Sequence, residues 1–258
     1  MRTMTSLEKQ KIAQFLDLTS DFLGSGYKSE KKEYQFEDDA VLTAREESIG
    51  QIEQEVKVCR RCRLWETRTN AAPGEGVLQP LVMVIGEGPG VDEDRQGRPF
   101  VGKAGQLLDK MLSSIGLSRN ANAFIANVVK CRPPFNRDPQ PEETSACAAF
   151  LERQITLLKP KFILAAGRVA SQTLLQTSDS IGKLHGKFKE LKIGNEIYPL
   201  ICTYHPAALL RDDDLRRPTW EDLKLLKSKL DGTSSAVSGG ISSEATRGTS
   251  SEATRGEN

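Results

Sequence analysis

Four short apolar runs set the limits on what this chain can fold into. Leu81–Ile85, Ala123–Val129, Phe162–Ala165 and Ile197–Tyr204 each read as a strand, and each is followed by turn-forming residues. Helical patterning fills the gaps. Val101, Leu107, Leu108, Met111 and Leu112 mark one helix, closed near Gly116, and Glu142–Leu158 forms a second that stops at Pro160. A third runs from Gly167 through Leu175, and Trp220–Leu230 is the last. Strand and helix alternating at this spacing predict an α/β fold, a parallel sheet with helices on both faces. Ligands of such sheets bind beyond the carboxyl ends of the strands.

Those strand ends carry chemistry. After the first run come Gly86-Glu87-Gly88-Pro89-Gly90 and then Asp92, Glu93 and Asp94. Asn127 lies near the end of the second run. His205 closes the fourth and opens His205-Pro206-Ala207-Ala208-Leu209-Leu210-Arg211. A carboxylate, an amide and an imidazole thus converge on one sheet edge. Each residue taken singly also has a plain structural use: a tight turn, a loop hydrogen bond, a helix start. The Gly86–Gly90 turn does not meet the Gly-x-Gly-x-x-Gly spacing of a dinucleotide site, and no Gly-Lys-Ser/Thr closes it as a phosphate loop.

Cysteine spacing is the second signal. Cys59 and Cys62 form Cys-x-x-Cys, Cys131 sits in the turn after the second run, and Cys147 falls in a predicted helix. Four thiolates can hold zinc or an iron–sulfur cluster. A redox disulfide at 59/62, or unrelated buried thiols, also fits the spacing. Arg60, Arg61 and Arg63 favour thiolates at this pair. Cys202 lies inside the apolar fourth run and reads as core filling.

The five cysteines are odd in number and scattered over 258 residues, which argues against a secreted disulfide scaffold. No run approaches the ~18 apolar residues of a membrane span. No apolar segment precedes Ser20, so no signal peptide is expected, and a cytoplasmic setting is the default. A net charge of +1 advertises no global basic field. Residues 159–217 nevertheless carry ten Lys/Arg against six Asp/Glu, while residues 1–58 carry eight against twelve, so the later part of the chain is the expected face for an anionic partner. Residues 1–50 read as an extension: an amphipathic helix over 6–23, able to dock a protein partner, then a polar linker over 24–39. Residues 51–230 form the main domain. The segment 231–258, with Ser-Ser-Glu-Ala-Thr-Arg-Gly at 242–248 and again at 250–256, reads as a disordered low-complexity tail.

In order along the chain, Cys59-x-x-Cys62, Gly86-Glu87-Gly88-Pro89-Gly90, Gly97-Arg98-Pro99-Phe100-Val101-Gly102, Asn127, Cys131, Cys147 and His205-Pro206-Ala207-Ala208 resemble the family 4 uracil-DNA glycosylases, the iron–sulfur members of their superfamily. The likeness runs from about Cys59 to Lys229. It implies a three-layer α/β/α sandwich on a four-stranded parallel sheet, acting as a monomer on uracil-containing DNA. It implies a [4Fe–4S] cluster on Cys59, Cys62, Cys131 and Cys147. The implied reaction is hydrolysis of the N-glycosidic bond of deoxyuridine, which leaves an abasic site and requires the nucleotide to be flipped out of the helix. Phe100 would stack on the base, Asn127 would read its edge, and the backbone of Gly86, Glu87 and Gly88 would approach it closely. His205 would stabilise the departing base. Glu87, with Glu93 second, would face the sugar and its water. Arg211 would hold phosphates, and the segment Ala207–Leu210, with Leu209, would offer an apolar wedge; ordinary core packing is the alternative for Leu209 and Leu210. The family has alanine where this chain has Gly88, a swap expected to remove a methyl near the base pocket and loosen substrate choice. Two rivals keep parts of the pattern. A covalent uracil-DNA binder would need a histidine in an inserted basic loop, and His185 has no such insertion around it. A non-catalytic iron–sulfur module of a repair or polymerase complex would need neither Asn127 nor His205.

Overall fold

The computed structural model describes residues 39–236 together with Ile12, which is helical and exposed. Its centre is a six-stranded sheet: β1 (Glu75–Gly76), β2 (Val82–Gly86), β3 (Ala123–Asn127), β4 (Phe162–Ala166), β5 (Phe188–Ile193) and β6 (Glu196–Thr203), in the order β1-β3-β2-β4-β6-β5. The inner four, β3, β2, β4 and β6, are parallel and correspond to the four apolar runs. The expected count of four is corrected to six by antiparallel strands at the two edges. Neither edge has a strong sequence signal. β1 is two residues long. β5 interleaves Lys189, Glu190 and Lys192 with its apolar residues, as an edge strand that must resist further pairing does.

The helices are α1 (Asp39–Val58), α2 (Val91–Gln96), α3 (Lys103–Ser113), α4 (Pro141–Leu158), α5 (Arg168–Leu175), α6 (Ile181–Leu184), α7 (Pro206–Leu209) and α8 (Arg216–Ala236). Successive strand residues point to opposite faces, and here they feed two separate cores. Met83, Ile85 and Ile163 pack with Ile52 and Val56 of α1 and with Phe150, Leu151 and Ile155 of α4. Val82, Val84, Leu164 and Ile201 pack with Leu108 and Leu112 of α3 and with Leu223 and Leu226 of α8. The result is a layer of helices on each face of the sheet. Because both faces are covered, β2, β3 and β4 are buried at every residue, which is why they read as unbroken apolar runs.

Two segment boundaries shift. α1 begins at Asp39, the last residue of the expected linker, and runs straight through residue 50, so residues 39–50 of the expected extension are helix continuous with the main domain. It is anchored early: Arg45 Nη1 donates to the Leu78 carbonyl at 3.2 Å. At the other end α8 extends to Ala236, past the expected limit of 230. Apart from Ile12, the helix expected over 6–23 lies outside the described residues, as does the repeat segment. No helix among the described residues is long and apolar enough to cross a membrane.

Candidate active site

The carboxyl ends of β2, β3 and β6 open onto one cavity of about 400 Å³, whose walls include Glu87, Phe100, Asn127, Asp138, His205 and Arg211. Parallel register sets Gly86, the last residue of β2, opposite Asn127, the last residue of β3. Asn127 is 1% exposed, and neither its Nδ2 nor its Oδ1 has a hydrogen-bond partner. An unsatisfied buried amide costs roughly 1–3 kcal/mol per group, and such a group calls for an explanation. Here both atoms belong to a residue lining the cavity.

Glycines let this corner close up. A Cβ on Gly86 would fall 2.5 Å from Asn127 Oδ1 and 2.5 Å from Phe100 Cζ. Phe100 is buried with a left-handed backbone, φ +53°. Arg119 holds that conformation, donating from Nη1 to the Pro99 carbonyl at 3.0 Å and from Nη2 to the Phe100 carbonyl at 2.8 Å. The Phe100 and His205 rings lie 5.6 Å apart, tilted by 31°.

His205 caps α7. The Ala207 N–H donates to its Nδ1 at 3.1 Å, so Nδ1 presents a lone pair and the proton of the neutral ring sits on Nε2. Burial and then the Arg211 cation push its pKa down to about 4, with Glu93 opposing. At neutral pH His205 is therefore an uncharged Nε2–H donor. Gly167, at φ +98°, makes room: a Cβ there would sit 2.8 Å from His205 Cβ.

The two carboxylates divide. Burial, and then the charge of Asp138, raise the pKa of Glu87 above the usual carboxylate value, with Arg168 opposing. Glu93 is committed to backbone. Its Oε2 accepts from Gly90 N–H at 3.1 Å, and its Oε1 accepts from the N–H groups of Val101 and Gly102, both at 2.8 Å. Glu93 thus ties the start of α2 to the loop carrying Phe100, which leaves Glu87 as the carboxylate suited to act on a bound molecule.

One further expectation is corrected. Leu209 is 3% exposed in the α3/α8 core, so it is not a wedge; its neighbour Leu210 is 49% exposed. Gly88 lines the cavity, and a methyl there would meet the core side chain Val129 at Cγ2, 2.7 Å away. Arg211 does stand at the cavity, exposed. Sequence reasoning missed Asp138 and its ion pair with Arg168, and the turn 133–136 that forms one lip of the cavity. The paired prolines after Cys131 were the available signal.

The four cysteines share a separate, largely apolar recess, together with Val56, Trp65, Lys130 and Phe150. Cys59 and Cys62 arrive from the end of α1, Cys131 from the loop after β3 and Cys147 from α4. Arg68 Nη1 donates to Cys131 Sγ at 2.8 Å. Burial pushes the Cys131 thiol up to about 11 and raises Cys147 as well, each further raised by its fellow cysteines and lowered by a neighbouring cation. No group of three or more His, Cys, Asp or Glu among the described residues is arranged to hold a single metal ion. The thiols border a common space instead. Four sulfurs around one recess, with Arg68 and Lys130 to offset negative charge, fit an anionic iron–sulfur group. Cys202 is fully buried in the core, as expected.

Comparison with known proteins follows the same residues. The model of the uracil DNA glycosylase superfamily matches residues 73–224. A type-4 uracil-DNA glycosylase of Sulfurisphaera tokodaii is 44% identical over 186 residues, 70% of this chain and 84% of that protein. One from Saccharolobus solfataricus is 43% identical across 71% of this chain and 87% of its own length. A third, from Thermotoga maritima, is 43% identical across 72% and 97%.

Proposed function

The chain belongs to the uracil DNA glycosylase superfamily, and from that premise we propose that it is a type-4 enzyme of DNA repair that hydrolyses the N-glycosidic bond of deoxyuridine in DNA, with the residues of the β2/β3/β6 cavity as its machinery. The observation that carries the site reading is Asn127, a buried amide with both polar atoms unpartnered at the cavity. Its Nδ2–H can donate to uracil O4 while its Oδ1 accepts from N3–H. Cytosine presents a donor and an acceptor in the reverse order and is refused. A site whose polar groups are left unpaired by the wrong substrate discriminates steeply.

The remaining steps belong to this chain's own side chains. Phe100 stacks on the base, and the Gly86–Gly88 backbone borders its edge. As the C1′–N1 bond breaks, its electron pair leaves with the base, and charge gathers on uracil O2. Neutral His205 donates its Nε2–H there. A donor already oriented needs no reorganisation at the moment of reaction. The sugar becomes cationic at C1′, and the Glu87 carboxylate offsets that charge. Water then adds to C1′ and gives its proton to Glu87, whose raised pKa makes it a better base than a solvated carboxylate. The products are an abasic site and free uracil, which takes up a proton at N1.

Cys59, Cys62, Cys131 and Cys147 would hold a [4Fe–4S] cluster, cross-linking α1, the loop after β3 and α4. When bound, such a group supplies a covalent brace of four Fe–S bonds. Arg211 at the cavity rim would meet DNA phosphates. The decisive experiment is release of free uracil from a uracil-containing oligonucleotide. Turnover is expected. A stoichiometric protein–DNA adduct would point to the covalent binder, and no product at all would point to a non-catalytic module.

A further inference from the structure

Phe135 is 98% exposed, the most exposed large apolar side chain among the described residues. Its ring packs against nothing in its own fold, so the fold gives no reason for a phenylalanine there. Its backbone gives a reason against one. Phe135 has φ +56° and Asn136 follows at φ +54°, two successive non-glycine residues in the left-handed region. That conformation costs a residue with a Cβ, and it persists only where the surroundings enforce it.

The enforcement is visible. Pro133 and Pro134 stiffen the approach. Asn136 N–H donates to the Pro133 carbonyl at 3.1 Å, and Arg137 N–H to the Pro134 carbonyl at 3.2 Å. Arg132 Nε donates to Asn136 Oδ1 at 2.7 Å. Arg137 is clamped to Glu143 through two hydrogen bonds of 2.8 and 2.7 Å. The turn is therefore a rigid mount, and it is a lip of the catalytic cavity: Pro133, Asn136, Arg137 and Asp138 all line that cavity. Ala207, Ala208 and Arg211 line the same cavity.

We propose that Phe135 is a DNA-stacking residue of this enzyme, whose ring packs on the face of the base adjacent to the extruded deoxyuridine. This rests on the reading of the cavity as the uracil site. Extrusion of a nucleotide into the cavity bares the face of its neighbour beside this lip. An aromatic ring carried there stabilises the extruded state, and the free energy of stacking replaces part of what the base stack loses. Leu209, buried in the core, is not available for this. The strained backbone fits the role, because a backbone held in place leaves only the ring's own rotation to be lost on binding.

The test uses Phe135→Gly, which removes the ring and also relieves the left-handed backbone, so its melting temperature is expected to match or exceed that of the parent. The probe is a duplex bearing uncleavable 2′-fluoro-deoxyuridine with 2-aminopurine next to it. Phe135→Gly should weaken binding of this duplex about tenfold, a stacking-sized loss, leave binding of undamaged duplex unchanged, and alter the 2-aminopurine fluorescence of the complex. Phe135→Trp should restore both affinity and fluorescence. Parent-like affinity and fluorescence in Phe135→Gly would overturn the proposal, as would an equal weakening on undamaged duplex. Failure of the parent protein to release uracil would instead overturn the cavity reading, and is scored separately.

Discussion

The ammonium of Lys130 donates to the backbone carbonyl of Asn127 at 3.0 Å, from a position 1% exposed to solvent. It also donates to Gln154 Oε1 at 2.7 Å, and Gln154 in turn donates from Nε2 to the Pro73 carbonyl at 2.9 Å. Lys130 lines the thiol recess too. One side chain therefore stands between the buried cavity-lining amide, to which base reading is assigned, and the four cysteines.

Replacing Lys130 with methionine keeps most of the volume and removes that link. The Asn127 carbonyl and Gln154 Oε1 then lose a donor inside the fold, at roughly 1–3 kcal/mol for each buried group left unsatisfied. Lys130→Met is expected to lower the urea unfolding free energy by about 2–6 kcal/mol and to slow uracil excision. Parent-like stability would show that the link holds nothing in place.

Asn127→Asp keeps the shape of the side chain and replaces the donor with an acceptor. Excision of uracil should fall by orders of magnitude, while affinity for undamaged duplex changes little. Asn127→Ala should behave likewise. If both variants excise at near-parent rates, some other group reads the base.

Iron analysis tests the thiol site directly. Purified protein should be brown, absorb broadly near ~400 nm and contain about four iron atoms, as a four-cysteine cluster requires. Cys147→Ser should lose iron and solubility, because the recess joins α1, the loop after β3 and α4. Stoichiometric zinc without iron in anaerobically prepared protein would remove the cluster from this reading.

What the sequence disclosed, and what it hid, follows from the range of the forces involved. The four inner strands were legible because burial on both faces leaves a continuous apolar run. Asn127 and His205 were legible because the parallel topology puts strand ends at the site. Glu87 could be ranked ahead of Glu93 but Glu93 could not be set aside: both are acidic residues near one glycine turn, and the three backbone N–H groups on Glu93 appear only in the fold. Leu209 and Leu210 are chemically alike, and the single turn of α7 buries one and exposes the other. The helix from Asp39 was not read from the sequence: only Ile52 and Val56, well along it, seat it in the core, so its first turns carry little periodic signal.

Arg211→Ala separates binding from chemistry. Arg211 is exposed at the cavity rim and is assigned to phosphate. Its loss should weaken DNA binding and reduce the salt dependence of log affinity by about one charge. The single-turnover rate at saturating enzyme should be preserved. A lower saturating rate with unchanged salt dependence would move Arg211 from phosphate binding into the reaction.

The sharpest expectation joins His205 and Glu87 through pH. Both are proposed to act on charge that exists only as the bond breaks, so either substitution should lower the single-turnover rate more than affinity. Loss of one oriented contact of this kind costs roughly 10²–10³ in rate. With its pKa at about 4, His205 is neutral throughout the physiological range. The parent rate should then stay flat through neutral pH. It should fall at lower pH as Glu87, raised above its ordinary 4.5, takes up a proton. Glu87→Gln should be slow and lose that acid limb, leaving only the later transition of His205. Stability follows the same histidine. The unfolded chain protonates near 6.5 and the folded site near 4, so the contribution of His205 is intact above pH 6.5 and is lost as pH falls toward 4. A His205→Ala protein should lack that part of the slope. Were the rate to rise as pH drops through 6.5, the departing uracil would be meeting an imidazolium, and the neutral-donor mechanism would be wrong.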